Sequence, residues 1–282
     1  MVSVSSLYVM SDDLLFLACG ADGLRALSLS SGQLSERDPS ALKPVYGVTF
    51  DAATDTLLLA WVECLSRAPD SAQTGPPNRM CWVASLTRSE KEWSEVQRFQ
   101  LELTPNYFIT QYVGLSVTAG SRVLLGGGDV SDKLYAFDLN AEHRLLPVGT
   151  IVPDNKFSEF ASTRNGSDTI VALSHYNDKS VSLQRLVELR LELLARVQLT
   201  EPSKLQFHGD RLLVAHWNKT VDKEEVSTHS ITSYAATGGW LTQAKQLFDA
   251  KAGIRVATWC VAGERLLIGD TNSEDLLLYP LK

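Results

Sequence analysis

LFLA at 15–18 is the first of six short, largely apolar runs that end on Ala or Gly; LLLA (57–60), VLLG (123–126), TIVA (169–172), LLVA (212–215) and LLIG (266–269) follow. Their terminal residues, Ala18, Ala60, Gly126, Ala172, Ala215 and Gly269, lie 42, 66, 46, 43 and 54 residues apart. Recurrence at this spacing is the period, sometimes stretched, of the blades of a β-propeller. A continuous apolar run predicts a strand buried on both faces.

The pattern extends outward from each run. A polar turn leads to a second strand with apolar residues at alternate positions: LRALSL (24–29), CWVASL (81–86), KLYAFDL (133–139), SVSLQRL (180–186), STHSITSY (227–234) and DLLLYPL (275–281). Less regular outer strands come next, such as EVQRFQL (95–101), LLPVGTI (145–151), LLARVQL (193–199) and LTQAKQLF (241–248). Pro44, Pro105, Pro153 and Pro202 recur at the crossing to the following blade, where the missing amide donor does no harm. Before each anchor sits a hairpin signal rich in Asp, Asn and Gly: SDD, DAATD, TAGS, RNGSD, HGD and AGE. Residues 183–199 (LQRLVELRLELLARVQL) contain strong helix formers, yet the apolar residues alternate. A hairpin is the first reading there and a lone helix the second.

These features predict an all-β, six-bladed propeller of antiparallel four-stranded blades forming a single domain over 1–282. Blades fall near 1–36, 37–101, 102–152, 153–200, 201–249 and 250–282. The last blade is either incomplete or closed by a short N-terminal strand, with donation of a strand or blade by a partner as a third solution.

Of the 282 residues, 44% are hydrophobic and 21% charged, which is ordinary for a globular chain. The net charge of −7 disfavours nucleic-acid and anionic-membrane binding, since both need a cationic face. No run is apolar enough to span a membrane, and the N-terminus has no signal-peptide pattern, so an intracellular location, cytoplasmic or nuclear, is expected. Cys19, Cys64, Cys81 and Cys260 are scattered without a CxxC pair and read as free buried thiols. Two glycosylation sequons begin at Asn165 and Asn218 and are read as chance matches.

Through ACGADGLRALSL (18–29) and GGGDVSDKLYAFDL (126–139) the chain resembles the WD-repeat propellers, and through LLIGDTNSEDLLLYPL (266–281) the NHL-type propellers. No Trp-Asp dipeptide ends a strand and no Gly-His pair precedes an inner strand, so the Asp-His-Ser/Thr-Trp network of the WD family is not expected. The open final blade also resembles the six-bladed propellers of coat and nuclear-pore scaffolds, which implies protein partners.

In the predicted register the loops between second and third strands share one face, which would collect Trp61, Asp129, His175, Tyr176, His216, Trp217, Asn218, Lys219 and Asp270 as protein-binding candidates. The leading functional expectation is a non-catalytic interaction scaffold without cofactor, bound to one or more proteins. The alternative is a lactonase- or esterase-like hydrolase. Resemblance to propellers of that kind implies an axial cation such as calcium, with Glu63, Asp129, Asn155, Asp178, Asn218 and Asp270 as oxygen donors. Other catalytic signatures are absent: no G-x-S-x-G, H-E-x-x-H or Walker loop occurs, and the Gly126–Gly128 run leads into a strand and not a helix.

Overall fold

The computed structural model describes residues 4, 6–11, 13–35, 39, 42, 44–64, 79–89, 92–102, 114–118, 120–126, 132–219, 227–236, 240–249, 256–270 and 276–281. These residues form antiparallel sheets in the arrangement of a six-bladed β-propeller, with no helix among them. Contacts gather the chain into two compact units, Ser5–Val148 and Gly149–Lys282 with Met1–Val4.

The first unit holds blades 1 and 2 and blade 3 as far as Val148, within its last strand. Blade 1 contains β1 (Ser6–Val9), β2 (Leu14–Ala18) and β3 (Leu24–Ser28); blade 2 contains β4 (Gly47–Asp51), β5 (Thr56–Cys64), β6 (Arg79–Ser89) and β7 (Glu92–Glu102). Blade 3 runs through β8 (Gly114–Thr118), β9 (Arg122–Gly126), β10 (Leu134–Leu139) and β11 (Leu145–Ile151), each strand beside its sequence neighbour. The apolar runs form the second strands. In β5, Leu59 pairs with Val48 on one side and Ala84 on the other, so the run is walled on both edges as well as both faces. Phe16, Leu57, Leu59, Val83, Leu125 and Phe137 belong to one continuous core. Each such side chain contributes about 1.5–3 kcal/mol on burial.

Polar side chains pin blade 2 to blade 3. The buried Asp51 carboxylate accepts from Thr54 Oγ1 at 2.6 Å and from Ser121 Oγ at 2.7 Å, while His143 Nδ1 lies 2.8 Å from Thr56 Oγ1. Gly126 shows why an anchor ends in a small residue: a Cβ there would sit 2.6 Å from the Lys133 carbonyl oxygen.

The second unit repeats the plan. Blade 4 is β12 (Glu159–Asn165), β13 (Asp168–His175), β14 (Ser180–Val187) and β15 (Arg190–Gln198); blade 5 is β16 (Pro202–His208), β17 (Arg211–Lys219), β18 (Ser227–Ala235) and β19 (Thr242–Asp249). Blade 6 is β20 (Val256–Ala262), β21 (Arg265–Asp270) and β22 (Leu276–Pro280). One core joins blades 4 and 5 through Ile170, Leu183, Leu205 and Val214. Another joins blades 5 and 6 through Leu213, Ile231, Trp259 and Ile268.

The hairpin reading of 183–199 holds, and Glu188 turns the chain at φ 54° between β14 and β15. Leu189 at that tip fits against Gly149, where a Cβ would stand 2.7 Å from Leu189 Cδ1. Two expectations need correction. Blade 1, like blade 6, has three strands among the described residues, because Leu34 makes only an isolated bridge to Leu27 where an outer strand was expected. Pro202 opens β16 instead of marking the crossing, paired opposite His216; Pro105 lies outside the described residues.

Candidate functional site

The predicted loop face is largely strand. His175 is the last residue of β13 and 1% exposed, because its side chain is hydrogen-bonded inside blade 4. Its Nδ1 meets the Lys156 carbonyl oxygen at 2.8 Å and its Nε2 meets Ser182 Oγ at 2.8 Å. A carbonyl can only accept, so Nδ1 carries the proton and Ser182 donates to Nε2. Gln184 Nε2 in turn donates to Ser182 Oγ at 2.8 Å.

Blade 5 has a matching pair, with buried His216 Nε2 at 2.9 Å from Thr232 Oγ1. In both blades the hydroxyl residue pairs with the residue two positions before the histidine, Leu173 with Ser182 and Val214 with Thr232. Histidine–hydroxyl pairs, unexpected from the motif comparison, therefore recur at equivalent diagonals. Burial holds both imidazoles below the usual histidine pKa; at His175 the Lys156 carbonyl and Asp178 oppose this and Arg196 adds to it, and at His216 Asp249 opposes it.

Trp61 is also internal. It stacks on Trp82 with centroids 6.3 Å apart, and the two indole N–H groups donate to the two oxygens of Glu63 at 3.0 and 3.1 Å. Arg98 lies 5.2 Å from the Trp61 ring centroid and 5.7 Å from that of Trp82. Tyr176 is the predicted contact that is exposed in a turn, at 46%. Trp217, Asn218 and Lys219 continue β17 and Asp270 ends β21, but their side chains, like all of Asp129, lie outside the described residues.

Of the predicted cation ligands, Glu63, Asn155 and Asp178 lie among the described residues, and they do not form one ligand group there. Both Glu63 oxygens serve the indoles, and Asp178 is exposed in the turn after His175. Asn155, with its amide oriented to suit both neighbours, accepts from Arg196 at 3.0 Å. No group of three or more His, Cys, Asp or Glu side chains fit to hold a metal occurs among the described residues.

A different cluster lies on the first strands of blades 4, 5 and 6. β16 packs beside both β12 and β20. Lys204 on β16 donates from Nζ to Thr258 Oγ1 on β20, and Thr258 is buried. Desolvation pushes the Lys204 pKa down, while the Glu159 carboxylate on β12 and Cys260 on β20 oppose the shift. Burial pushes the Cys260 thiol up to about 12, with the Lys204 charge pulling the other way. Cys260 is therefore a thiol, and a weak nucleophile, near neutral pH. The backbone under Glu159 is fixed by its N–H donating to Ser174 Oγ at 3.0 Å. An amine held toward its neutral form beside a carboxylate and a hydroxyl can accept, carry and return a proton.

Sequence reading missed this cluster because Lys204 sits in an ordinary half-apolar segment, PSKLQFH. Its partners are 45 or more positions away, and only the stacking of blades brings them near.

No family model matches the chain, and no curated protein matches it. Among solved structures, a putative 6-phosphogluconolactonase from Bacteroides uniformis ATCC 8492 is similar over 98% of this chain and 80% of its own, at 13% identity and a TM-score of 0.63. Kuenenia stuttgartiensis hydrazine synthase is similar over 100% of this chain and 77% of its own, at 12% identity and a TM-score of 0.64. A glucose dehydrogenase matches over 99% of this chain and 98% of its own, at 10% identity and a TM-score of 0.61.

The chain is thus a six-bladed β-propeller, and identities this low establish the fold. The expectation of a non-catalytic scaffold is corrected by the same finding. The solved structures the chain resembles carry enzyme names, lactonase among them. No helix among the described residues is long and apolar enough to cross a membrane.

Proposed function

We propose that this chain is a propeller hydrolase that opens a lactone or cleaves an ester of a small polar substrate at the Lys204 cluster. The observation that carries the proposal is the Lys204 amine anchored on Thr258, on a strand packed between those that bear Glu159 and Cys260. The likeness to a lactonase-named propeller supplies the substrate class.

Hydrolysis of a lactone needs two proton transfers: one from the attacking water, and one to the ring oxygen as it leaves. Lys204 in its neutral form takes the first proton, and as an ammonium it delivers the second. Its bond to Thr258 fixes where the amine points, and the Glu159 carboxylate stabilises the ammonium between the two transfers. Burial keeps Cys260 toward its thiol form, which makes it a poor nucleophile for this reaction.

The test is hydrolysis of glucono-δ-lactone and 6-phosphogluconolactone above the spontaneous rate, by the whole chain and by Lys204→Met. Loss of the proton carrier lowers kcat by ~100-fold or more. Absence of hydrolysis across a panel of lactones and esters would overturn the function, and an unimpaired Lys204→Met would remove Lys204 from it.

A further inference from the structure

A second site lies at the opposite end of the same strands and is independent of the hydrolase proposal. From Glu159 to Arg164 is five residues of β12, a span of ~16 Å at strand rise, so the two sites do not overlap. Here the β12–β13 and β16–β17 turns enclose a cleft of about 250 Å³. Its floor is apolar, formed by Ile170, Phe207 and Ala236, and its rim carries Arg164, Asn165 and Asp210.

The two charged rim groups do not pair with one another among the described residues. Arg164 donates through Nε to the Gly166 carbonyl oxygen at 2.5 Å, which orients the guanidinium and leaves its two terminal nitrogens uncommitted among the described residues. Asp210 forms no ion pair with Arg164, and its backbone oxygen, not its carboxylate, accepts from Ala236 N–H. The cleft therefore presents one cation and one anion, unneutralised by each other, above an apolar floor. A ligand that complements it carries a carboxylate, an ammonium and an apolar body in a volume of one residue.

We infer that this cleft binds a free apolar α-amino acid. The ligand carboxylate meets Arg164 in the paired geometry guanidinium favours, the ammonium meets Asp210, and the side chain covers Ile170 and Phe207. Asn165 supplies an amide beside the carboxylate. A peptide or protein terminus carries only one of the two charges and satisfies only half of the rim.

Isothermal titration of the whole chain with L-leucine and L-phenylalanine, beside N-acetyl-L-leucine and L-leucinamide, tests the assignment. The free amino acids bind, and each blocked compound binds at least ~10-fold more weakly, the cost of losing one charged contact. Arg164→Gln and Asp210→Asn each weaken L-leucine by a similar factor, while thermal melting shows both variants folded. No heat at 10-fold excess over ~1 mM ligand, equal binding of the blocked compounds, or affinity untouched in both variants would each overturn the inference. Lactone hydrolysis is unchanged in both variants, which separates this site from the Lys204 cluster.

Discussion

Ser182→Ala tests the hydrogen-bond network of blade 4 most directly. Ser182 is fully buried and holds two partners at once, donating to His175 Nε2 and accepting from Gln184 Nε2, both at 2.8 Å. Removing the hydroxyl leaves one buried acceptor and one buried donor without partners. Each orphan costs about 1–3 kcal/mol, and Gln184, at 7% exposure, recovers some of that from water, so the expected loss is about 2–4 kcal/mol. Thr232→Ala in blade 5 orphans one group, His216 Nε2, and costs about 1–2 kcal/mol. Urea unfolding at pH 7.5, followed by intrinsic fluorescence and circular dichroism, measures both. For a chain of this size the Ser182 variant melts about 3–7 °C lower. The reasoning fails if Ser182→Ala costs under ~0.5 kcal/mol, the range of an ordinary surface change, or less than Thr232→Ala.

Two further outcomes follow from the same physics. His175 and His216 are both held below the usual histidine pKa by burial, so the unfolded chain binds protons more readily than the folded one. The stability due to their neutral forms is complete above the unfolded value of 6.5 and is lost as pH falls through it toward the depressed folded values; melting temperature should drop from pH 7.5 to 5.5, and a flat profile would contradict it. Gly126→Ala places a Cβ 2.6 Å from the Lys133 oxygen and 2.8 Å from Leu134 Cδ2, so overpacking should cost about 1–3 kcal/mol in chemical denaturation. A variant as stable as the parent would mean the anchor is small for another reason.

Much of the blade plan was legible because it is written in local periodicity. LLLA at 57–60 is apolar at consecutive positions because β5 is walled on all sides, whereas Tyr135 and Asp138 interrupt the buried residues of β10 because they are half-exposed. The turn before β13 could be placed from RNGSD because Gly166 adopts φ 62° there. The site was not legible in this way. The polarity of His175 and His216 predicts loop tips, but polarity does not say whether a side chain meets water or a buried partner. Seven residues separate His175 from Ser182, and sixteen separate His216 from Thr232, so a constant diagonal between strands appears in the sequence as two unrelated spacings.

The sequence by itself determined the class of the fold, the approximate places of the six apolar strands and the turns between them, since each depends on residues close along the chain. Tertiary structure alone decided which polar groups are buried together. The Trp61–Trp82–Glu63 stack, the Lys204 amine on Thr258 and the charged rim of Arg164 and Asp210 each join strands or turns whose sequence separation is set by loop lengths. Desolvation, which gives Lys204 its chemical interest, depends on everything packed around it. No window of sequence contains that surrounding, and the stacking of blades creates it.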